Sequence, residues 1–192
     1  MLAPVRTAAP TALVSLAEAK VHLRVEADLT EFDALISGLI ATATQHFDGY
    51  SGVLGRALVT QSWRQDFCGF SGRMGLPLAP AASITSVAYF DGSNVTQTLA
   101  SSVYGLFADA RGPYVGLKPD QTWPSSYSRP DAVSVTFVAG QDAADVDPRA
   151  KTAIMMLVAS WFERREAVGS EALTEIPFGV QALIAPLRRV GI

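Results

Sequence analysis

The stretch that decides the fold is DLTEFDALISGLIATATQHF, residues 28–47. Its apolar residues recur every three or four positions, which places them on one face of a helix. They are Leu29, Phe32, Leu35, Ile36, Leu39, Ile40, Ala43 and Phe47. Asp28 and Glu31 match a capping box, so we expect the helix to begin at Asp28. Three glycines, Gly49, Gly52 and Gly55, predict its end and a turn of the chain.

Two further helices are predicted on either side of this one. Ser15 and Glu18 form a capping box that opens a short helix to about Arg24. Asp147 followed by Pro148 predicts a helix over about 147–166, with Asp as N-cap and Pro in the first turn. Its apolar stripe is broad and consists of Ile154, Leu157, Val158 and Trp161, widened by Met155, Met156 and Phe162. Such a helix is buried on more than one side, either by a central position or by a second subunit.

The middle of the chain, about 57–139, is predicted to be rich in β-structure. Alternating residues predict a half-buried strand over 59–67. The other predicted strands are 83–90, 95–99, 103–107, 114–117 and 133–137, with a turn at 91–94. Residues 118–130 hold three prolines and are expected to form an exposed loop, and the lead-in around Pro4 and Pro10 is expected to be irregular. The fold class that follows is α+β, with N- and C-terminal helices packed together and a β-rich insertion between them.

Composition favours an assembly protein. Apolar residues make up 49% of the 192 residues and charged residues 17%, yet no uninterrupted apolar run approaches the roughly 18 residues of a membrane span. A subunit interface accounts for the excess, because obligate interfaces resemble a core cut in half. The net charge of −3 gives no support to nucleic-acid binding. The single cysteine excludes an internal disulfide, no signal peptide is expected, and synthesis in the cytoplasm follows as the default.

Residues able to carry catalysis or bind metal are few. Cys68 could act as a nucleophile with His22 or His46 as base, but nothing local orients such a pair, and a packed or half-exposed structural thiol is favoured. Asp142, Asp145 and Asp147 lack the glycine and terminal glutamate of a calcium loop. Two glycine turns, at 49–53 and 69–73, lack the final glycine of a G-x-S-x-G motif, and no phosphate-binding loop is present. We therefore expect no cofactor, no metal and no enzymatic activity.

Four segments resemble the head–tail adaptor (connector) family of siphophages and gene transfer agents. They are LAEAKVHLRV (16–25) followed by FDALI (32–36), GRALVTQSW (55–63), LPLAP (76–80) before the strand SITSVAY (83–89), and WFERREAV (161–168) followed by EIPFGVQALIAP (175–186). They span nearly the whole chain in the family's order. The 118–130 loop has no such match, so its contacts are left open.

The resemblance implies a single head–tail connector-like adaptor domain over 1–192. It implies a closed ring of about twelve copies of the chain below the portal protein, bound on its other side to a stopper or tail protein. DNA would pass through the ring without sequence-specific binding, and no membrane is involved. The protein would assemble in the bacterial host cytoplasm and then reside in the virion or phage-like particle.

The expected interface residues lie toward the C-terminus. Met155, Met156, Trp161 and Phe162 are candidates for subunit contacts, although Trp161 and Phe162 fit an ordinary core equally well. A docking tail over about 177–192, with Phe178, Arg188 and Arg189, is the candidate for portal contact. Two alternatives stay open: another ring-forming virion protein, such as a stopper or tail terminator, and a cytosolic enzyme that uses Cys68.

Overall fold

A computed structural model of the chain describes residues 2–164 and 178–189. These residues form two units. One is helical and contains Ala12–Gly55 and, within its described part, Ala143–Arg189; the other is built on sheets and contains Arg56–Asp142 with residues 2–11. None of the described helices is long and apolar enough to cross a membrane.

The helical unit joins segments from both ends of the chain. Its helices are α1 (Leu16–Leu23), α2 (Asp33–Phe47), α3 (Pro148–Glu163) and α4 (Phe178–Ile184), the last followed by a 3₁₀ turn (Ala185–Leu187). Helix α3 packs against the other three helices. The predicted packing of N- and C-terminal helices is confirmed, and with it the α+β fold class.

Two of the predicted helix starts are confirmed by their caps. The backbone N–H of Glu18 donates to Ser15 Oγ (3.2 Å), while the N–H of Ser15 donates to Glu18 Oε2 (3.0 Å), which completes the capping box. At α3, the N–H of Arg149 donates to Asp147 Oδ1 (2.9 Å), and Pro148 occupies the first turn. These bonds satisfy donors that a helix N-terminus leaves without intrahelical partners.

The predicted start of the second helix at Asp28 is wrong. Helix α2 begins at Asp33, and its N-cap position, Phe32, makes no side-chain cap. The cause is Lys20, a buried side chain of α1. Its ammonium donates to the carbonyl of Ala27 and pairs with the carboxylate of Asp33. Because a buried ammonium needs such partners, residues 27–32 are held in turns instead of a first helical turn.

The glycines after α2 turn the chain as predicted. Gly49 and Gly55 have positive φ angles of 86° and 61°, which favour glycine because a side chain would be strained there. Gly52 is required for a different reason, since a Cβ at this position would lie 2.5 Å from the carbonyl oxygens of Phe47 and Asp48. The predicted end of α3 at about Glu166 is too late, because Arg164 already leaves the helical conformation.

The sheet unit contains two antiparallel sheets. Its strands are β1 (Val5–Ala8), β2 (Gln61–Phe67), β3 (Met74–Gly75), β4 (Ala81–Phe90), β5 (Thr96–Thr98), β6 (Tyr104–Asp109), β7 (Gly112–Leu117) and β8 (Val133–Ala139). The first sheet has the order β1-β2-β8-β4-β5, and the second has the order β3-β7-β6. Both contribute side chains to one apolar cluster, which includes Trp63, Phe67, Met74, Leu78, Val87, Val115, Val135 and Phe137.

Strand β1 falls where the sequence predicts an irregular lead-in. It pairs with β2, with Val5 opposite Arg64, and Gln65 Nε2 donates to the carbonyl of Leu2 (2.7 Å). The guanidinium of Arg6 lies 4.9 Å from the ring centroid of Trp63. The strand is short and its partner lies far along the chain, so no local pattern could indicate it.

The 118–130 segment forms neither helix nor strand, but it is not simply an exposed loop. The indole of Trp123 stacks on Phe70 at 4.8 Å between ring centroids and packs against the apolar cluster. The backbone N–H of Tyr127 donates to the carbonyl of Phe90 (2.8 Å). Although it contains prolines, the segment therefore packs on the sheet unit through its Trp123 side chain, because an indole buries a large apolar area.

Candidate functional site

Helix α3 has one buried face, composed of Ala150, Ala153, Ile154, Leu157 and Val158. The four α3 residues predicted to form an interface, Met155, Met156, Trp161 and Phe162, are all half-buried. The central position that the sequence left as one explanation for the broad apolar stripe is observed. The remaining exposed part of the methionines lies outside the face that this chain covers.

Phe162 is partly satisfied within the helical unit. Its ring meets the ring of Phe32 edge-on, with 5.6 Å between centroids and 88° between planes. This geometry is a favourable aromatic arrangement. Phe162 therefore contributes to the unit's own packing, and only its exposed remainder is open to a partner.

Met156 of α3 meets Gly179 of α4, the residue that follows Phe178. A Cβ added at Gly179 would lie 3.2 Å from Met156 Cε, so the methionine packs directly over this glycine. The neighbouring residue, Phe178, is 86% exposed. We call Met155, Met156 and Phe178 the α3–α4 surface. A phenylalanine this exposed beside flexible methionine side chains is typical of a protein-binding surface.

The segment predicted as a docking tail packs on the helical unit as far as it is described. Val180, Ile184 and Leu187 are buried, and the backbone N–H of Arg189 donates to the carbonyl of Leu54 (3.0 Å). Arg188 is exposed and Arg189 is half-buried. A partner could therefore contact this segment through its exposed side chains, chiefly Phe178 and Arg188. Pro177 and residues 190–192 of the predicted tail lie outside the described residues.

Several exposed apolar residues of the helical unit were missed by the sequence. Val21 on α1 is 79% exposed, and Leu29, Leu35 and Tyr50 are also exposed. The periodicity placed Leu29 and Leu35 on the core face of one helix, and this was wrong. The apolar arc of α2 is wider than its neighbours cover, and periodicity alone does not tell which edge of such an arc is covered.

The electrostatics of the helical unit are set by short pairs at helix starts. Lys151 Nζ lies 2.6 Å from Glu18 Oε1. This hydrogen bond and those from Ser15 lower the pKa of Glu18 to about 2. At the start of α3, the side chain of Asp147 binds Arg149 (2.7 Å) and raises the pKa of that guanidinium. The Glu18–Lys151 pair links α1 to α3, and the Asp147–Arg149 pair stabilises the start of α3. Neither is a catalytic pair.

The residues considered for chemistry are not assembled into a site. Cys68 is an exposed free thiol, more exposed than predicted. His22 is exposed at the end of α1, and His46 is half-buried with its ring 5.1 Å from that of Phe47. Within residues 2–164 and 178–189, no group of three histidine, cysteine or acidic side chains could hold a metal ion.

Comparison with known proteins adds structures but no family assignment from sequence. No protein-family model matches the chain. No curated protein matches it either.

Solved structures, in contrast, match over the whole chain. The chain is similar to one in the neck of an empty gene transfer agent (GTA) particle computed with C6 symmetry, at 24% identity and a TM-score of 0.77. It is similar to a chain of the virion of a native GTA particle, at 25% identity and 0.78. A third match, at 22% and 0.71, is in the neck of a native GTA particle computed with C12 symmetry. Each match covers 100% of this chain and 97% of the other.

The chain has the fold of a GTA neck protein. Because each match covers 100% of this chain and 97% of the other, both units have a counterpart in the matched chain. The matched chains are parts of particles and are not described as enzymes, in agreement with the prediction of a structural protein. The GTA neck fold also confirms the predicted arrangement of helices at both ends with β-structure between them.

Proposed function

We propose that the protein is a head–tail adaptor of a phage-like particle, a subunit of a ring below the portal that continues the DNA channel toward the tail. The observation that carries this proposal is the similarity, over 100% of the chain, to chains in GTA necks. The ring would contain about twelve subunits, the order of the C12 symmetry used for one of those necks. A stopper or tail terminator remains the alternative, and it differs in its position along the neck.

The helical unit supports a ring because it offers more than one apolar surface. A ring is built from head-to-tail contacts, so each subunit must present two different surfaces that meet. Met155 and Met156 of the α3–α4 surface form one of them. Val21 and Leu35, on α1 and α2, provide exposed apolar side chains on other helices. Apolar residues in such number suit contacts that stay closed once formed.

The portal contact would involve the exposed arginine after α4. Arg188 has a charged, planar head that forms strong paired bonds with carboxylates. The buried residues of α4 hold this part of the chain against α3. Docking at Arg188 and Phe178 would therefore use a surface already in place and need little ordering of the chain.

The charge of the chain is compatible with a DNA channel. At −3 overall, the subunit lacks the excess of basic groups that grips phosphates and slows passage. DNA would pass through such a ring without sequence-specific binding, and the ring would bind only its protein neighbours.

The test is assembly of the full-length protein with a purified portal, imaged by electron microscopy. We expect closed rings on the portal face, with the copy number read from class averages. Met155→Glu should lower ring occupancy at least about tenfold, because an unpaired carboxylate would be buried in the contact. The matched control is Ala41→Glu, an exposed position of α2 away from Leu35 and Leu39, which should assemble normally.

A protein that stays monomeric with the portal present would overturn the proposal. Rings that form equally well with Met155→Glu would refute the assignment of the α3–α4 surface while leaving the ring itself standing. Labelled protein located in whole particles would separate an adaptor, next to the portal, from a terminator at the tail.

A further inference from the structure

Within residues 2–164 and 178–189, the two sheets of the sheet unit end in four edge strands, and one of these strands differs from the other three. Strand β5 has three residues and β3 has two. Strand β1 has four, includes Arg6 and is interrupted by a register shift between Arg6 and Ala8. Short, charged or irregular edges of this kind resist pairing with other chains.

Strand β6 lacks these protective features. It has six residues in unbroken register with β7, and its first five, Tyr104 to Ala108, carry no charge. Phe107 is 40% exposed. A regular, apolar and unpaired strand edge presents a row of backbone donors and acceptors that another strand can bind.

The register shows which backbone groups of β6 point outward. Asp109 pairs with Gly112 across a two-residue turn, and the closing pair of such a hairpin is hydrogen-bonded. Bonded and non-bonded pairs then alternate. Pro113, which has no N–H, lies opposite Ala108, and the N–H of Lys118 donates to the carbonyl of Val103 (3.0 Å), both as this alternation requires. The backbone groups of Tyr104, Leu106 and Ala108 therefore face away from β7. Tyr104 is buried, whereas Leu106 is half-buried and Ala108 is exposed, so a second strand can reach the groups of Leu106 and Ala108.

A groove of about 530 Å³ runs beside Tyr104 and Leu106 of this strand. It is lined by Ile84, Ser101, Tyr104, Gly105, Leu106, Phe107, Lys118 and Pro119. Its far wall includes Ile84 of β4, in a stretch where β4 has no strand on the side opposite β8, because β5 pairs only with Ala88–Phe90. Ile84 and Leu106 both flank the apolar cluster. The groove is thus an open seam between the two sheets, lined by apolar residues such as Ile84 and Leu106 together with the polar residues Ser101 and Lys118.

A single cation stands at the Tyr104 end of the groove. Lys118 is exposed, and its Nζ donates to the carbonyl of Ser101 (2.9 Å). Its chain passes over Gly105, with Cε 3.8 Å from the position of an added Cβ. An ammonium has three donors, so this one can also bind a carboxylate of an occupant.

We propose that β6 is a docking edge for an extended segment of another protein, which binds as an added strand. Its backbone bonds to Leu106 and Ala108, alternate apolar side chains enter the seam beside Ile84 and Leu106, and a carboxylate meets Lys118. Pairing falls on β6 and not on β4, because the half of β4 that β5 does not cover carries two register shifts in its pairing with β8. The proposal goes beyond the ring and stands with or without it.

The test uses the full-length protein and a capped peptide of alternating valine and threonine, about six residues long, the usual strand length, ending in glutamate. Two further peptides carry N-methyl groups on odd or on even amides. Only one set of amides can face β6, so we expect one methylated peptide to bind at least about tenfold more weakly and the other to bind normally. Amide hydrogen exchange should slow at Leu106 and Ala108 but not at Gly105 and Phe107, which already bond to β7.

Two variants at one position separate backbone from side chain. Ala108→Pro removes one outward N–H, and it faces Pro113 across a non-bonded pair, so the hairpin should persist. Ala108→Thr keeps the N–H. We expect the proline variant to lose peptide binding about tenfold and the threonine variant to keep it. Lys118→Glu should weaken binding of the glutamate peptide and not that of a glutamine analogue.

Three results would overturn the proposal. They are no binding of the unmodified peptide at about 1 mM, equal binding of both methylated peptides, and unchanged binding to Ala108→Pro. If amide exchange shows that β6 and β7 no longer pair in the proline variant, binding of the two methylated peptides to the wild-type protein still tests the proposal.

Discussion

The helical unit and the sheet unit expose different chemical groups to possible partners. The helical unit shows apolar side chains, with Phe178 and Val21 largely in solvent. The sheet unit keeps its large apolar side chains mainly in one cluster and shows a strand edge at β6. A partner of the first would recognise side-chain shape, whereas a partner of the second would recognise backbone geometry. The proposed ring contact and the proposed strand docking would therefore use different chemical groups of one chain.

The two units also differ in how they are stabilised. The helical unit is stabilised by local interactions, namely the helix caps at Ser15 and Asp147 and the tight turn at Gly52. The sheet unit depends on strands far apart in sequence, since β2 lies between β1 and β8. Removing a long-range contact from the sheet unit should therefore lower the free energy of unfolding more than removing a local interaction from the helical unit.

The largest expected effect is at Phe137, a fully buried ring of β8. Phe137→Ala should lower the free energy of unfolding by about 3–5 kcal/mol, because it removes the ring and leaves a cavity. Urea denaturation measures the loss. The control is the next residue, Val138→Ala, which is half-buried on the other face and should cost about 1 kcal/mol. Equal losses at the two positions would contradict a core on one face of β8.

An intermediate effect is expected at the turn of the helical unit. Gly52→Ala should cost about 1–3 kcal/mol, since the added carbon would meet backbone oxygens that cannot move away easily. Gly38→Ala, inside α2 with open space around it, should instead stabilise the protein by up to about 1 kcal/mol. Thermal denaturation of both variants gives the comparison. A destabilised Gly38→Ala with a neutral Gly52→Ala would reverse the assignment.

The smallest effect is the pH dependence of the Glu18–Lys151 pair. The pKa of Glu18 is lowered from 4.5 to about 2 in the folded protein. The stabilisation is therefore fully present above pH 4.5 and is lost as the pH falls from 4.5 toward 2. The pair is largely exposed, so its contribution should stay below about 1 kcal/mol.

Glu18→Gln tests this pair directly. The variant should be slightly less stable than the wild type at neutral pH, and the difference should vanish toward pH 2. Denaturation midpoints measured across that range provide the curve. A difference that is constant with pH would mean that the carboxylate charge of Glu18 contributes nothing.

Much of the fold could be predicted from sequence where the deciding interactions are local. The capping box at Ser15, the N-cap at Asp147 and the alternation over β2 involve residues within a few positions of one another. The start of α2 could not be predicted, because it depends on Lys20 reaching Ala27 and Asp33 from another helix. Strand β1 could not be predicted for the same reason, because its partner strand is remote in sequence.

The candidate surfaces were foreseen only in part. Met155 and Met156 were named from an excess of apolar residues, and Phe178 as part of the docking tail that the family resemblance implied. Their exposed parts agree with a surface role that stays a prediction. Arg188 is exposed as such a role requires, whereas Val21, Leu35 and the β6 edge were not identified. An apolar residue looks the same in a sequence whether its neighbour belongs to its own chain or to another.

By itself, the sequence 28–55 determined that a helix forms and that glycines end it, because helix periodicity and turn chemistry are properties of neighbouring residues. Together with the rest of the chain it indicated a structural protein with few catalytic groups. Only the tertiary structure decided where that helix begins, that Leu29 and Leu35 are exposed, and that β6, among the described residues, pairs with another strand on one side only. Burial and edge position depend on which remote segments come to lie beside a residue, and no local pattern contains that information.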